Sequence, residues 1–167
     1  MASPLSEEET NYLRMVYLLT SVSPEAVRDY FDRVFPPADL LVELNYHKTT
    51  LQNLKRQKIL NASQWAVLYP SSLTTARSTP GGSTTVASTN FDLTLMICLL
   101  RNISGINAPV RGFDELPLPA ETSAGSDLAR IKYYRNIIAH SEDSKLSNQN
   151  FNDAWKDVSE VNIFEQI

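Results

Sequence analysis

The sequence predicts an all-α fold, a bundle of helices interrupted by two long irregular loops. Apolar residues recur at intervals of three and four through most of the chain, the spacing that gives a helix one apolar face. Helix-start signals stand before several of these segments. No segment alternates apolar and polar residues as a half-buried strand does, and no internal repeat is present. A chain of 167 residues suits a single domain with a core of its own.

The first part of the chain is predicted to form two amphipathic helices. Residues 6–20 begin with Ser6 and Glu9, whose spacing is that of a capping box, in which each side chain accepts the other residue's backbone N–H. Residues 23–35 carry a proline in the first turn, where proline is favoured, followed by an apolar stripe. A proline pair then ends this second helix, because proline cannot continue a helix.

Three shorter helices are predicted in the middle of the chain, over residues 38–45, 49–58 and 61–69. Residues 70–88 are rich in Ser, Thr, Gly and Pro, a composition typical of an irregular loop. The next helix, residues 90–102, is the most apolar in the chain and has almost no polar face. We therefore expect this helix to lie at the centre of the bundle.

A second irregular loop, residues 104–125, contains three prolines and precedes the last two helices. Ser126 and Asp127 are predicted to cap the helix that follows the loop, and Ser147 to cap the final one. The chain ends in the sequence VNIFEQI without a helix C-cap signal. We therefore expect residues 1–167 to be an N-terminal module of a longer protein.

The composition excludes several classes of function. Because the formal net charge is −4, the chain has no global positive field to attract nucleic acid, and any such contact must be local. A single cysteine, Cys98, excludes an intrachain disulfide framework and a multi-cysteine metal site, and we expect it to be small and buried. There is no signal-peptide pattern and no apolar run long enough to span a membrane. We therefore expect a reducing compartment, the cytoplasm.

The sequence YYRNIIAHS, residues 133–141, places an arginine and a histidine in an otherwise apolar helix. With a step of about 100° per residue, Arg135 falls within about 20° of Leu128, on the main apolar face. Asn136 and His140 are four residues apart and lie beside each other on another side of the helix. By the same step, Arg135 and His140 point about 140° apart.

Structural roles would account for both of these residues. Arg135 could form an ion pair with a carboxylate on another helix, because an unpartnered guanidinium is costly to bury. His140 could stand at the helix C-terminus, where the helix dipole favours a protonated imidazole. Spacing alone favours these roles over catalysis, since charges in unusual surroundings are often structural.

The segment RNIIAH nevertheless resembles the R-x4-H motif of the HEPN superfamily, including the asparagine that often follows the arginine. The longer segments DLARIKYYRNIIAHS, FDLTLMICLLRNI and LNASQWAVLYP resemble the HEPN branch found in DAZ-interacting zinc-finger ubiquitin ligases and related animal proteins. This resemblance covers roughly residues 13–161. It implies a HEPN-like helical bundle that pairs as a homodimer, with the two R-x4-H motifs meeting in a cleft at the interface.

The resemblance favours an RNA-directed chain, because many HEPN domains are metal-independent endoribonucleases, whereas others only bind RNA or assemble. It makes Arg135, Asn136 and His140 the candidate catalytic residues, with no metal and no other cofactor. Histidine can move a proton near neutral pH, and arginine can hold phosphate oxygens through two parallel hydrogen bonds. RNA supplies the nucleophile, its 2′-hydroxyl, so cleavage would leave a 2′,3′-cyclic phosphate and a 5′-hydroxyl. Because Arg135 and His140 point apart, catalysis is expected to need fraying of the last turn or a second copy across a dimer.

Three neighbours on the same helix, Arg130, Lys132 and Tyr133, are the candidate RNA-contacting residues. Basic side chains bind phosphates, and a tyrosine ring can stack on a base. Each also has an ordinary alternative role: a short basic patch is usually a solvated surface, and tyrosines at helical spacing are more often in a core or interface.

The alternative class of function is a non-catalytic, homo-oligomerising adaptor module in a ubiquitin-ligase or innate-immune signalling protein. Such a module would present signalling or ligase domains that follow in the same chain. The negative charge and the expected N-terminal position favour this adaptor. The intact R-x4-H motif favours the RNA-directed domain, which is our first hypothesis.

Overall fold

The chain folds into an all-α bundle, as predicted. The computed structural model describes residues 3–71 and 86–165, and these ranges contain helices, turns and loops but no strand. None of the helices within them combines the length and the apolar character needed to cross a membrane. The helices are α1 (Glu7–Tyr17), α2 (Ser23–Val34), α3 (Leu40–Tyr46), α4 (Lys48–Arg56), α5 (Ala62–Leu68), α6 (Leu93–Ile103), α7 (Ala124–Ala139), α8 (Asn148–Ser159) and α9 (Asn162–Glu165).

Capping side chains start several of these helices where the sequence placed them. The capping box before α1 is present, with the Ser6 N–H donating to the Glu9 carboxylate at 2.7 Å and the Glu9 N–H donating to Ser6 Oγ at 3.2 Å. Ser147 caps α8 by accepting the N–H of Asn150 at 3.3 Å. A π-helical segment, Leu18–Val22, joins α1 directly to α2, so the first two predicted helices form one continuous stretch of helical turns.

Two predicted helix starts are wrong. α7 begins at Ala124, because Ser123 rather than Ser126 is the cap: Ser123 Oγ accepts the Ser126 N–H at 3.2 Å. The two serines are three residues apart, and the first takes the capping position while the second is buried inside the first turn. α6 begins later than predicted, at Leu93, where Asp92 accepts the Leu95 N–H at 2.6 Å.

The segment predicted as the first irregular loop, residues 70–88, lies mostly outside the described residues. The last residues of this segment pack against the bundle, because Val86 and Ser88 are buried. A short 3-10 turn, Ser88–Asn90, then leads into α6. Arg28 of α2 holds this turn, donating from Nε to the Ser88 carbonyl at 3.1 Å and from Nη2 to the Phe91 carbonyl at 3.0 Å.

Helix α7 packs against four other helices, α1, α6, α8 and α9. Every residue from 125 to 131 is buried, so the first half of α7 has no face open to solvent. Exposure returns in the second half, where Asn136, Ile137 and His140 are exposed. α6 is almost as deeply buried, as its apolar sequence predicted, but Thr94 and Asn102 leave it an exposed edge beside α7.

The second long loop, residues 104–123, is tied to α7 and to itself. The Glu121 carboxylate accepts the N–H of Val110 at 2.7 Å and of Leu118 at 2.8 Å, and these bonds lower the pKa of Glu121. Arg130 of α7 donates to the Leu118 carbonyl at 2.8 Å. At Gly125 the loop backbone comes so close to α7 that an added Cβ would lie 2.0 Å from the carbonyl oxygen of Asn107.

We expect Gly125→Ala to destabilise the fold, because the new methyl group would overlap a backbone carbonyl that cannot rotate away. Overpacking of this kind typically costs about 1–3 kcal/mol in the free energy of unfolding. Urea unfolding followed by circular dichroism measures the change. An alanine variant as stable as the parent would contradict the close approach of the loop to α7.

Candidate functional site

The motif RNIIAH occupies the last turns of α7, and α1 fixes this end of the helix. The Tyr12 hydroxyl donates to the Ile138 carbonyl at 3.4 Å. Buried Asn11 donates from Nδ2 to the Leu146 carbonyl at 3.3 Å, which holds the segment that follows α7. α7 stops at Ala139, and His140 is its C-cap residue. The histidine therefore stands at the exposed end of a helix that is anchored on its other side.

Tyr134 fixes the rotation of α7 about its own axis. Its hydroxyl donates to Asp157 Oδ2 of α8 at 2.5 Å, and burial together with this bond raises the pKa of Tyr134. Ile138, one turn later, is also buried. With these two side chains facing the core, Arg135 and Asn136 are turned toward solvent on the side of α6.

A groove of about 370 Å³ lies between α6 and the second half of α7, and we call it the α6–α7 groove. Its α7 wall is formed by Lys132, Arg135 and Asn136, and Ile59 and Asp114 complete its outline. One face of α6 supplies the remaining residues: Thr94, Ile97, Cys98, Arg101 and Asn102. Cys98, expected to be buried, is only half-buried, and burial raises the pKa of its thiol.

A second depression, of about 340 Å³, adjoins the first along α7, and we call it the His140 groove. It is lined by Phe113, Asp114, Lys132, Tyr133, Asn136, Ile137 and His140. Asp114, Lys132 and Asn136 line both grooves, and we call these three residues the ridge between them. Arg135 lines only the first groove and His140 only the second, so the two motif residues stand on opposite sides of a shared ridge.

Asp114, from the long loop, joins both helices at this ridge. Its carboxylate accepts two hydrogen bonds from Arg101, at 2.9 Å and 3.1 Å, and a further one from Lys132. These bonds hold the pKa of Asp114 well below its usual range, so the carboxylate stays ionised at every physiological pH. The Arg101 guanidinium also lies over the Phe113 ring, 5.2 Å from its centroid.

The α6–α7 groove is positively charged although the chain is acidic. Three cationic side chains line it, Arg101, Lys132 and Arg135, against the single carboxylate of Asp114. Within residues 3–71 and 86–165, Arg135 forms neither an ion pair nor a hydrogen bond with its guanidinium. The structural ion pair considered for Arg135 is therefore not seen among these residues, and its charge is available to a ligand.

Arg130 has the structural role instead. It is 8% exposed, lies 3.5 Å from Asp127 Oδ1, and donates to the Leu118 carbonyl. It lines neither groove. Burial and these partners give Arg130 a structural role in joining α7 to the long loop, and the RNA contact predicted for it stays a prediction.

The structure brings the other five predicted site residues together. Lys132 and Asn136 lie on the ridge, and Tyr133 lines the His140 groove with its ring edge-on to Tyr134 at 5.2 Å. Sequence reasoning missed Arg101 and Asp114. The spacing of Thr94, Cys98 and Arg101 on one side of α6 was a usable signal, whereas nothing in the loop sequence marked Asp114.

Comparison with known proteins identifies the family. The chain is 27% identical over 163 residues to the E3 ubiquitin-protein ligase DZIP3 of Mus musculus and 26% identical to the Homo sapiens protein of the same name. Each match covers 95% of this chain but only 13% of the relative. No solved structure matches the chain significantly. The family model described as DZIP3/hRUL138-like HEPN matches residues 37–163, and the chain therefore belongs to this HEPN family, as the resemblance in its sequence predicted.

Proposed function

We propose that this chain is an RNA-directed HEPN domain that acts as a dimer and cleaves RNA without a metal ion. The observation that carries the proposal is the position of Arg135 and His140. His140 is exposed and Arg135 is half-buried, and neither side chain has a hydrogen-bond partner in the described part of the chain. They line adjoining grooves that share Lys132 and Asn136. A guanidinium and an imidazole without structural partners suit phosphodiester cleavage, in which one group stabilises negative charge and the other transfers a proton.

The proposed chemistry uses the substrate's own nucleophile. The 2′-oxygen attacks the adjacent phosphorus and loses its proton, while the bond to the 5′-oxygen breaks and that oxygen gains a proton. Arg135 and Lys132 hold the phosphate oxygens as negative charge builds on them. The His140 imidazole transfers a proton, and Asn136, four residues before it, orients the ring or binds the phosphate. The products are a 2′,3′-cyclic phosphate and a 5′-hydroxyl.

A dimer would bring two such sites together. Ile137, an apolar residue with 42% of its surface exposed, lies within the motif and lines the His140 groove. The exposed Ile137 side chain suits an interface between two copies of the chain, because dimer formation would remove this apolar side chain from water. Because Arg135 and His140 of one chain line different grooves, the second copy would supply the motif residue that the first chain's site lacks.

We expect His140→Ala to lower RNA cleavage by about 100-fold or more, the range typical of a lost general acid or base. Purified protein is incubated with labelled single-stranded RNA or tRNA in EDTA, and cyclic-phosphate ends are detected on the products. Arg135→Ala should cause a comparable loss because the phosphate charge is no longer held.

The matched control is His47→Ala, which removes the chain's other histidine at the junction of α3 and α4. It should cleave like the parent. Thermal melts of all variants separate lost chemistry from lost folding. Cleavage that His140→Ala leaves unchanged, or a parent that never cleaves, would contradict the nuclease.

We expect Ile137→Glu to weaken the dimer and cleavage together, since a carboxylate would be buried against its own copy. Sedimentation over a range of protein concentrations measures the mass. Val42→Glu is the control: Val42 is 67% exposed on α3 and lines neither groove. A strict monomer that still cleaves would refute the dimer requirement.

The alternative is a non-catalytic adaptor that oligomerises through another surface. Leu41, Val42 and Tyr46 are all exposed on α3, which gives that helix an apolar outer side. The relatives are named as ubiquitin-protein ligases and are far longer than this chain, so ligase domains in the same cytoplasmic protein are part of this proposal. Loss of self-association in Val42→Glu, with no cleavage by the parent, would favour the adaptor.

We expect Asp114→Asn to tighten RNA binding at low salt, because the change releases Arg101 and Lys132 from their shared carboxylate. Each additional phosphate that these cations neutralise should steepen the dependence of log affinity on log salt by about 0.7. Fluorescence anisotropy at several salt concentrations measures both effects. Asp39→Asn removes the same charge from an exposed residue outside the grooves. Equal salt dependence in the two variants would show that Asp114 does not control the site.

A further inference from the structure

We propose that the α6–α7 groove is a base-binding subsite, which holds one unpaired nucleobase of the RNA strand beside the phosphate bound at Arg135. The inference rests on the proposed RNA-directed function and goes further, because it assigns the residues that would select the nucleotide. It follows from the combination of an apolar floor, amide groups at the edges and cations around the opening.

The floor of the groove is apolar. Ile97 lines the groove and is only 4% exposed, Cys98 is half-buried, and Ile59 lines it with 53% of its surface exposed. A site for phosphate alone would not need this surface. The flat face of a nucleobase is apolar and gains from leaving water, as it does when unpaired bases lie against protein side chains.

The edges carry the polar groups that a base needs. The Asn102 amide nitrogen donates to the Cys98 carbonyl at 2.8 Å, which fixes the side chain and leaves its carbonyl oxygen as an acceptor. Asn136 faces the same groove from α7, and its amide has no partner within the described ranges. An amide offers both a donor and an acceptor, the pattern that pairs with the edge of a base. Thr94 adds a hydroxyl.

The cations lie where the phosphate of the same nucleotide would be. The side chains of Arg101 and Lys132 are 34% and 29% exposed, so they reach solvent while Ile97 does not. Arg135 lies on the α7 wall, toward the ridge shared with the His140 groove. The groove, at about 370 Å³, falls within the range of pockets that take small organic ligands, about 300–1,000 Å³. A strand with its base in this groove would run its backbone across the ridge toward His140.

Cys98 provides a direct probe, because it is the chain's single cysteine and it lines the groove. The rate of its alkylation by N-ethylmaleimide, followed by intact mass at mildly alkaline pH, reports whether the groove is filled. The ligands are a 2′-O-methyl single strand of mixed sequence, which cannot be cleaved, the same strand in a duplex, the four nucleoside 3′-monophosphates, and inorganic phosphate.

We expect the single strand to protect Cys98 and the duplex to protect it less. The best nucleotide should protect at a concentration at least about fivefold below that of phosphate, because its base buries apolar surface that phosphate lacks. Protection by phosphate at the same concentration as nucleotide would overturn the subsite and leave only an anion site. A free nucleotide that protects better than the strand would overturn the assignment to RNA.

A groove-filling variant tests the same point without the cysteine. Thr94→Tyr should weaken binding of the single strand at least about fivefold by anisotropy, because the new ring occupies the position of the base and the base can no longer bury its apolar face. Thr50→Tyr, at an exposed residue of α4 outside both grooves, should not. Equal binding by the two variants would contradict the subsite.

The outcomes separate this inference from the nuclease. Cleavage in EDTA with no protection of Cys98 by any nucleotide or strand would keep the ribonuclease and reject the subsite. Protection with no cleavage would establish the base-binding groove in an RNA-binding domain and reject the nuclease.

Discussion

Helix α7 has a first half with no face open to solvent, and the arrangement of the bundle follows from that constraint. Residues 125–131 must be covered on every side, and α1, α6, α8, α9 and the second long loop provide the cover. The polar groups inside this stretch then need partners, which Asp127 and Arg130 find in each other and Arg130 also finds in the loop backbone. After residue 131 one side of the helix is no longer covered by other elements, and Arg135, Asn136 and His140 lie on that part of the helix.

The charge of the site differs in sign from the charge of the chain, and the long loop controls the difference. An acidic protein attracts no polyanion at long range. Close to α7, however, three cationic side chains surround one groove, and only Asp114 opposes them. Because that carboxylate comes from the loop, the loop both shapes the groove and sets how much positive charge it offers. In the proposed RNA site, affinity for a phosphate would therefore depend on the position of the loop as much as on the motif.

The helical fold could be predicted from apolar spacing and capping residues, because both act within a few residues of the chain. The same reasoning misplaced Arg135. A helical wheel put Arg135 on the apolar face and suggested that it was the buried arginine, but α7 is covered on all sides only in its first half. Position along the helix, not around it, decides which arginine is buried. The groove could not be predicted from the sequence either. Arg101, Asp114 and Lys132 come together only through the path of the long loop, whose sequence has no periodicity.

The two grooves also indicate how a dimer would complete the site. Arg135 and His140 lie on opposite sides of the ridge formed by Asp114, Lys132 and Asn136. In the proposed ribonuclease, one chain would therefore present its phosphate-binding group and its proton-transfer group to neighbouring positions along a strand. In a two-fold dimer, a residue near the axis meets its own copy. If Ile137 is that residue, the two His140 grooves face each other, because Ile137 lines the same groove as His140. The paired grooves would then form one cleft with both imidazoles inside it, while the two α6–α7 grooves flank the cleft and hold the bases on either side.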